Sequence, residues 1–374
     1  MININQLNSI LPSKKYKHLN KILIFKTALI KNHKIIQNLH PSTQICPVLK
    51  SNAYGHGLEE TAPIFDQMKS PFLVVDSLYE AYKLYKLKVK TPILIMGYTN
   101  PINFKVKRLP FHIALFDLET AQILDKYQPN CQIHIFVDTG MCREGITINK
   151  LSYFLDGINK LKNLKVAGLC SHLADADNPN NKSFTNSQIE SFKTALEIMK
   201  AKGVSPKWRH ISASGGALTI NDPAFNMIRA GLLHYGISPC ENPSETALDM
   251  DLSPALEFTS TLALIKEVPE NSFIGYSGTY KTNRDAILGL LPAGYYEGVD
   301  RRLSNKGFVK IRDNFFPIVG KVSMNMTTID ISNLKDPQIG ETVVVYSSNL
   351  GDKNSIVNSA RLAETIPYLS LIHI

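Results

Sequence analysis

The sequence predicts an α/β protein in which a (β/α)8 TIM-type barrel precedes a mainly β C-terminal domain. The chain has 374 residues, more than the roughly 250 that such a barrel needs. Short apolar runs alternate with longer amphipathic stretches in the first two thirds, whereas short β-branched runs separated by turns follow from Leu256. The predicted bounds are 1–20 for an N-terminal extension, 21–247 for the barrel and 248–374 for the β domain.

Eight short apolar runs in the first part have the length and composition of buried strands. Because amphipathic stretches separate them, they predict a barrel whose chemistry lies at the C-terminal ends of its strands. Two of the stretches, Leu78–Leu84 and Thr185–Met199, are predicted helices, the second with a capping box of Thr185 and Gln188. The runs are Ile45–Lys50, Phe72–Val75, Ile93–Met96, Ile113–Phe116, Ile133–Val137, Lys165–Cys170, Trp208–Ser212 and Met227–Gly231.

A polar break at residues 242–251 separates the two patterns. Beyond it, six runs predict strands, and Ser355–Ile366 is the one stretch with helical periodicity. The runs are Thr261–Ile265, Ala286–Leu291, Phe308–Ile311, Pro317–Val322, Thr327–Ile331 and Thr342–Tyr346.

The composition argues against several classes of protein. Lys and Arg outnumber Asp and Glu by 41 to 32, but they are spread along the chain, so nucleic-acid binding is not expected. No apolar run approaches the roughly 18 residues of a membrane helix, and the first residues lack the pattern of a signal peptide. Five distant cysteines without a Cys-x-x-Cys pair predict neither a disulfide framework nor a metal site and favour a cytoplasmic location.

Lys50 ends the first predicted barrel strand, where a lysine is unusual because a buried amine must be paired or used chemically. Two interpretations are open: a surface lysine with a buried stem, or a Schiff-base lysine whose pKa falls on desolvation. Residues Ala53–Gly57 read Ala-Tyr-Gly-His-Gly, and the two glycines indicate a tight turn that a ligand can approach closely.

The run Lys50–Gly57 resembles the pyridoxal-phosphate signature of alanine racemases, and the resemblance extends over about residues 20–368 with both domains in order. It implies a cytoplasmic isomerase that interconverts L- and D-alanine with pyridoxal 5′-phosphate and supplies D-alanine for cell-wall peptidoglycan. It also implies a homodimer with active sites shared between subunits. Lys50 would hold the cofactor and act as one catalytic base, and Tyr54 would bind the cofactor phosphate.

The resemblance also places a second base. Gly275–Tyr280 resembles the segment that supplies a tyrosine from the partner subunit's β domain, which gives this role to Tyr276. A tyrosine with its reference pKa near 10 needs help to act as a base near neutral pH. His172 matches the family histidine that hydrogen-bonds it, although by itself it would more often be a core histidine.

Four more residues match cofactor- or substrate-binding positions. Ser214 and Gly231 follow the last two strands, where barrels often bind phosphate, and a helix beginning near Ser214 would present its positive end. Arg229 would face the pyridine nitrogen and suppress transamination by keeping that nitrogen unprotonated; without the Lys50 motif it would be taken for a buried ion-pair partner. Arg143 would contact the substrate carboxylate and the cofactor hydroxyl.

Two residues of the β domain complete the set. Gly294–Gly298 resembles a segment whose tyrosine, here Tyr295, lines the entrance to the partner's active site. The backbone of Met324 would contact the substrate carboxylate. Taken alone, Tyr295 would be a hairpin tyrosine and Met324 a core filler.

The chain departs from the family pattern at several positions. Phe136 stands seven residues before Arg143, where many members have a carbamylated lysine, so Arg143 must be held otherwise or be more mobile. Glu297 and Asn325 replace aspartates, and Ala213 replaces a frequent asparagine. The changes at 213, 325 and 136 leave a broad-specificity or serine-type racemase as an alternative.

The end of the chain also differs. Residues 369–374 do not resemble the usual tail, which contains a late tyrosine near the phosphate. A truncated gene model, or a degenerate protein that binds pyridoxal phosphate without turnover, therefore stays open.

Overall fold

The computed structural model describes residues 17–178, 180–240 and 250–367. The chain forms two compact units, one of Ile24–Ala255 and one of Met1–Leu23 with Leu256–Ile374. The first strand, β1 (Lys21–Ile24), belongs to a sheet of the second unit. The predicted boundary at 247/248 falls among residues outside the described ranges and stays a prediction, as does that at 20/21.

All eight predicted barrel strands form, in the described part of the chain, and they run parallel. Their apolar runs are nearly continuous because a parallel sheet is buried on both faces. One further short strand, β7 (Ile146–Thr147), lies beside β6. The eight strands are β2 (Gln44–Pro47), β3 (Leu73–Val75), β4 (Ile93–Ile95), β5 (His112–Leu115), β6 (Cys131–Asp138), β8 (Leu164–Cys170), β9 (Trp208–His210) and β10 (Met227–Ala230).

The sheet closes on itself. Strands β3, β4, β5, β6, β8 and β9 form one continuous ladder, and β10 pairs with β2. A bridge between Val48 and Val74 joins the end of β2 to β3. On the other side, Arg229 N donates to Ser212 O over 3.0 Å, which joins β10 to the end of β9. The predicted barrel is confirmed, and the C-terminal strand ends gather on one face.

Helices cover the outside of the barrel, and none of the described helices is long and apolar enough to cross a membrane. They are α1 (Lys26–Leu39), α2 (Leu58–Asp66), α3 (Leu78–Lys86), α4 (Leu118–Tyr127), α5 (Ile148–Ile158), α6 (Lys182–Ala201) and α7 (Ser214–Thr219).

The predicted capping box of Thr185 was wrong. Helix α6 begins three residues earlier, at Lys182. Thr185 lies inside the helix, and its hydroxyl group donates a hydrogen bond to Asp175 O. A capping box does begin α3, where Ser77 Oγ accepts from Glu80 N and the Glu80 carboxylate accepts from Ser77 N.

The second unit is mainly β, as predicted. Its sheets have the orders β1-β11-β19-β16-β17, β12-β15-β18 and β13-β14. The strands are β11 (Leu256–Thr261), β12 (Leu264–Val268), β13 (Phe273–Ile274), β14 (Tyr280–Lys281), β15 (Ala286–Leu291), β16 (Phe308–Ile311), β17 (Asn314–Pro317), β18 (Thr327–Asp330) and β19 (Thr342–Tyr346), and one helix, α8 (Ile356–Leu362), follows.

Two predicted strands of this unit were wrong. The run Thr261–Ile265 is divided between two sheets, because Leu262 N bonds Glu341 O while Ala263 N bonds Leu290 O. The run Pro317–Val322 begins where β17 ends, and Gly320 then turns the chain with a φ of 75°. Helix α8 is also shorter than the predicted Ser355–Ile366.

Candidate active site

The segment after β2 turns in a left-handed sense. Residues Ser51–Tyr54 have φ angles of 54° to 55°, a conformation that costs an L-residue roughly 1–2 kcal/mol. Two hydrogen bonds stabilise the turn: Ser51 N donates to Glu80 Oε1 over 2.6 Å, and Leu58 N donates to Asn52 Oδ1 over 2.9 Å. The turn buries the Tyr54 ring. Lys50, expected to be desolvated, is instead exposed in the chain by itself.

The structure brings three predicted phosphate-binding residues together. Ser214, the first residue of α7, accepts hydrogen bonds at its Oγ from Gly231 N (3.1 Å) and Leu233 N (3.4 Å). Its hydroxyl therefore keeps its own proton to donate. A Cβ built on Gly231 would lie 2.4 Å from the Tyr54 hydroxyl oxygen. Only glycine at 231 leaves an open space here, which we call the Gly231 cradle. The hydroxyl groups of Tyr54 and Ser214 lie beside it.

Arg229 is buried, and neutral groups hold it. Its Nη2 donates to Ser171 O at 2.7 Å and lies 3.3 Å from His172 Nδ1, while Nη1 lies 2.6 Å from His210 Nδ1. Among the described ion pairs, none involves Arg229. Among the described residues, therefore, no carboxylate is paired directly with its positive charge.

His172 is a neutral imidazole with a defined tautomer. Burial, followed by the positive charges of Arg229, Arg143 and Lys50, lowers its pKa to about 3. A guanidinium only donates hydrogen bonds, so His172 Nδ1 accepts from Arg229 and the ring proton lies on Nε2. His172 thus offers an N–H donor among three cationic side chains.

Arg143 is held by its neighbour in the sequence. Its Nε and Nη2 donate to the two carboxylate oxygens of Glu144, the second at 2.7 Å. Both the hydrogen bond and the charge of Glu144 raise the pKa of Arg143. Phe136, at the position of the carbamylated lysine, packs instead in an apolar cluster with Ala114 and Cys170.

The other three predicted site residues lie in the second unit. Tyr276, Tyr295 and Met324 are 67%, 40% and 54% exposed. Backbone hydrogen bonds place two of their segments side by side, because Tyr295 N donates to Ser323 O and Tyr296 N to Met324 O. The tyrosine patch is defined here as Tyr276, Tyr295, Tyr296, Met324 and Met326, all of them exposed.

Comparison with known proteins identifies the family. The model described as alanine racemase, N-terminal domain, matches residues 24–239, and that described as alanine racemase, C-terminal domain, matches residues 255–374. The chain belongs to the alanine racemase family. Members of this family are isomerases that depend on pyridoxal phosphate.

Individual alanine racemases match over nearly the whole chain. Alanine racemase 2 of Caldanaerobacter subterraneus subsp. tengcongensis is 32% identical over 87% of this chain and 84% of its own length. The alanine racemase of Clostridium novyi is 31% identical over 94% of this chain and 93% of its own. A crystal structure of alanine racemase from Bacillus anthracis with bound L-Ala-P is 28% identical, with a TM-score of 0.87 over 96% of this chain and 93% of that one.

The residues present fit the cofactor of the alanine racemases. The hydroxyl groups of Tyr54 and Ser214 beside the open Gly231 cradle suit phosphate oxygens. Arg229 offers an unneutralised positive charge, and Lys50 an exposed amine. No group of three or more His, Cys, Asp or Glu side chains in the described ranges is arranged to hold a metal ion.

Two departures from the alanine racemase pattern contact each other. Asn325 Nδ2 donates to Glu297 Oε1 at 2.8 Å, and Glu297 Oε2 accepts from Gly294 N at 2.8 Å. An aspartate at 325 would oppose the Glu297 carboxylate. The identity of Asn325 is thus explained by its neighbour. Ala213 precedes α7 and provides no side-chain cap to it.

Sequence reasoning missed three residues that support the site. Glu80 holds the left-handed turn, and Glu144 holds Arg143. Gln188 was interpreted as a cap, but its Nε2 donates to His172 O at 3.1 Å and its Oε1 accepts from Ala174 N at 2.9 Å. An acidic residue directly after Arg143 was the one available signal; the other two contacts depend on the tertiary fold.

The buried histidines predict a loss of stability in acid. Burial lowers the pKa to about 4 for His56 and His112 and to about 3 for His172 and His234. Because the unfolded chain binds these protons first, the free energy of unfolding should be maximal above about pH 6.5 and should fall as the pH drops from there towards 4. Well inside that window, each of these histidines lowers the free energy of unfolding by about 1.4 kcal/mol for every unit by which the pH falls. Urea midpoints followed by circular dichroism should decrease accordingly; equal midpoints at about pH 7 and pH 5 would contradict the prediction.

Proposed function

We propose that this chain interconverts L- and D-alanine with pyridoxal phosphate, as a cytoplasmic homodimer that supplies D-alanine for cell-wall peptidoglycan. One observation carries the proposal: an exposed amine, Lys50, leads into a turn that sets Tyr54 beside Ser214 and Gly231, while Arg229 takes part in none of the ion pairs found among the described residues. This combination suits a phosphorylated pyridine aldehyde. The five cysteines are free, in keeping with a reducing compartment.

The chain's own residues would hold the cofactor at both ends. Tyr54 and Ser214 would donate hydrogen bonds to phosphate oxygens, and Arg229 would face the ring nitrogen and keep it unprotonated. Once the amino group of the substrate has replaced Lys50 on the cofactor, pyridoxal phosphate would supply an electron-withdrawing group that makes the α-proton of the substrate removable, and the released Lys50 amine would be free to act as a base. The residues around it then need only to accept and return that proton.

Two bases would act on opposite faces of the α-carbon. The partner subunit's Tyr276 would take the proton from L-alanine, and Lys50 Nζ would take it from D-alanine. His172, neutral with its proton on Nε2, would donate a hydrogen bond to the phenolate oxygen of the tyrosine. The positive charges around His172 would favour that phenolate further.

The tyrosine patch supports a dimer with shared sites. Monomeric proteins rarely leave several aromatic and methionine side chains exposed together. We propose that the patch covers the partner's barrel mouth, with Tyr295 lining the entrance and the Met324 backbone at the substrate carboxylate. Arg143 would contact the same carboxylate.

Racemisation of L-alanine by the purified protein with added pyridoxal phosphate tests the proposal, with L-serine, L-lysine and L-arginine in parallel. We expect D-alanine to form much faster than the other D-amino acids, because the Glu297–Asn325 contact accounts for the departure at 325. Comparable rates would indicate the broad-specificity alternative. Bound yellow cofactor without D-alanine would indicate a degenerate protein. Residues 369–374, which do not resemble the usual phosphate-side tail, lie outside the described residues.

Glu144→Gln should weaken alanine binding more than it slows the chemistry. The amide loses the charge-assisted pair that holds Arg143, so the KM for alanine should rise about tenfold with a smaller change in kcat. Steady-state kinetics measures the two constants. The matched control is Glu190→Gln, which removes a surface ion pair with Lys193 far from these residues in the sequence. Equal KM values in both variants would show that Glu144 does not position Arg143.

Because Phe136 cannot be carbamylated, removal of carbon dioxide should leave the activity of the wild-type protein unchanged.

A further inference from the structure

Three histidines form a hydrogen-bonded chain through the barrel core that ends on Arg229. Arg229 Nη1 lies 2.6 Å from His210 Nδ1, His210 Nε2 lies 2.8 Å from His134 Nδ1, and His134 Nε2 lies 3.2 Å from His112 Nδ1. His134 and His210 are fully buried. Phe72 packs edge-on against the rings of His112 and His134. The proposed mechanism gives no role to His134 or His112.

Arg229 fixes the direction of the first hydrogen bond. A guanidinium has donors only, so His210 Nδ1 accepts and carries no proton. Burial, then the charge of Arg229 and the neighbouring ring of His134, holds the pKa of His210 well below its usual range. The ring is therefore neutral, and its single proton lies on Nε2, from which it is donated to His134 Nδ1.

The same reasoning continues to the end of the chain. Burial, then His112 and Arg229, keeps the pKa of His134 well below its usual range, so His134 is neutral and donates from Nε2 to His112 Nδ1. Burial lowers the pKa of His112 to about 4. The remaining N–H of His112 lies on Nε2, and His112 lines a cleft together with Arg108 and Gln128.

The neighbouring strand leaves room for this chain. Gly168 of β8 is the register partner of His134 on β6. A Cβ at Gly168 would lie 2.3 Å from His134 Nδ1, the atom that accepts from His210. The imidazole therefore occupies space that any larger residue at 168 would take.

We propose that His134 and His112 are positioning residues for Arg229, which act by fixing His210 in the tautomer that accepts from the guanidinium. The inference rests on the proposed function, in which Arg229 faces the ring nitrogen. An aimed, charged Arg229 keeps that nitrogen unprotonated and suppresses transamination. In that side reaction the amino group of alanine and the oxo group of the cofactor change places, giving pyruvate and pyridoxamine phosphate.

Three variants of the holoenzyme test the role of His134. His134→Leu replaces the imidazole by an apolar side chain that fills the space but forms no hydrogen bonds. Pyruvate formed per racemisation turnover should therefore rise roughly tenfold, which corresponds to the loss of about one hydrogen bond. His134→Gln should stay near wild type, because its amide oxygen can accept from His210 and its amide nitrogen can donate to His112. Phe72→Leu is the packing control, since it loosens the same rings without removing a hydrogen bond. A pyruvate ratio in His134→Leu equal to that in Phe72→Leu would overturn the proposal.

A second measurement needs neither activity nor a variant. In protein with nitrogen-15-labelled histidine, long-range proton–nitrogen spectra distinguish the two neutral tautomers. His112, His134 and His210 should each carry the proton on Nε2 near neutral pH, and a proton on Nδ1 of His210 would overturn the proposal. If wild-type protein does not racemise alanine, the proposed function fails, while these spectra still decide whether the histidine chain exists.

Discussion

Lys50→Ala should abolish both racemisation and the yellow colour of bound cofactor. The alanine side chain has no amine to join the cofactor aldehyde or to exchange the α-proton. Because Lys50 is exposed, the variant should keep the thermal stability that the wild-type chain has without cofactor. Absorbance spectra, D-alanine formation and thermal unfolding measure the three properties.

The control for this variant is Lys160→Ala, which removes another exposed lysine, in the turn after α5. It should retain both colour and activity. Racemisation by Lys50→Ala at a rate near that of Lys160→Ala would remove Lys50 from the mechanism. If Lys50→Ala lost thermal stability as well as colour, Lys50 would have a structural role instead.

Tyr276→Phe should retain the cofactor but lose exchange of the α-proton of L-alanine. Phenylalanine keeps the ring and lacks the oxygen that accepts the proton. Proton NMR in deuterium oxide follows this exchange directly. Tyr296→Phe is the matched control, since it removes a phenol from the same exposed patch without touching a proposed base. Exchange at the wild-type rate in Tyr276→Phe would mean that another group is the second base.

Mixing the two inactive variants tests whether sites are shared between subunits. A heterodimer of Lys50→Ala and Tyr276→Phe chains would have one site that lacks both bases and one that has both. Random exchange of subunits should therefore restore about one quarter of wild-type activity. If each site used Lys50 and Tyr276 of one chain, no activity would return.

The barrel was predictable because its strands are buried on both faces and read as uninterrupted apolar runs. The second unit was harder, since its half-buried strands are short and change sheets: Leu262 and Ala263 bond to different sheets, which no local pattern reveals. Helix α6 was recognised from its periodicity, but its start was misplaced because Thr185 found a tertiary partner in Asp175.

The site shows the same division. Lys50, Tyr54, Ser214 and Gly231 lie in continuous motifs and could be singled out from the sequence. The histidine chain could not, because its hydrogen-bonded neighbours are separated by as many as 76 positions and meet only when the barrel closes. Glu144 was visible beside Arg143, but its role depends on the direction of two side chains.

The left-handed turn at Ser51–Tyr54 also limits how this protein can change over evolutionary time. At most positions of a barrel, a substitution by glycine lowers the stability of the fold, whereas a β-branched residue is tolerated. At residues 51–53 this order is reversed, since β-branched side chains tolerate positive φ worst and glycine best. Substitutions at these positions are therefore accepted or rejected first by whether they can adopt a positive φ, and only then by their effect on activity. Divergent descendants should therefore exchange small residues, asparagine and glycine at these positions long after the surrounding helices have lost their similarity.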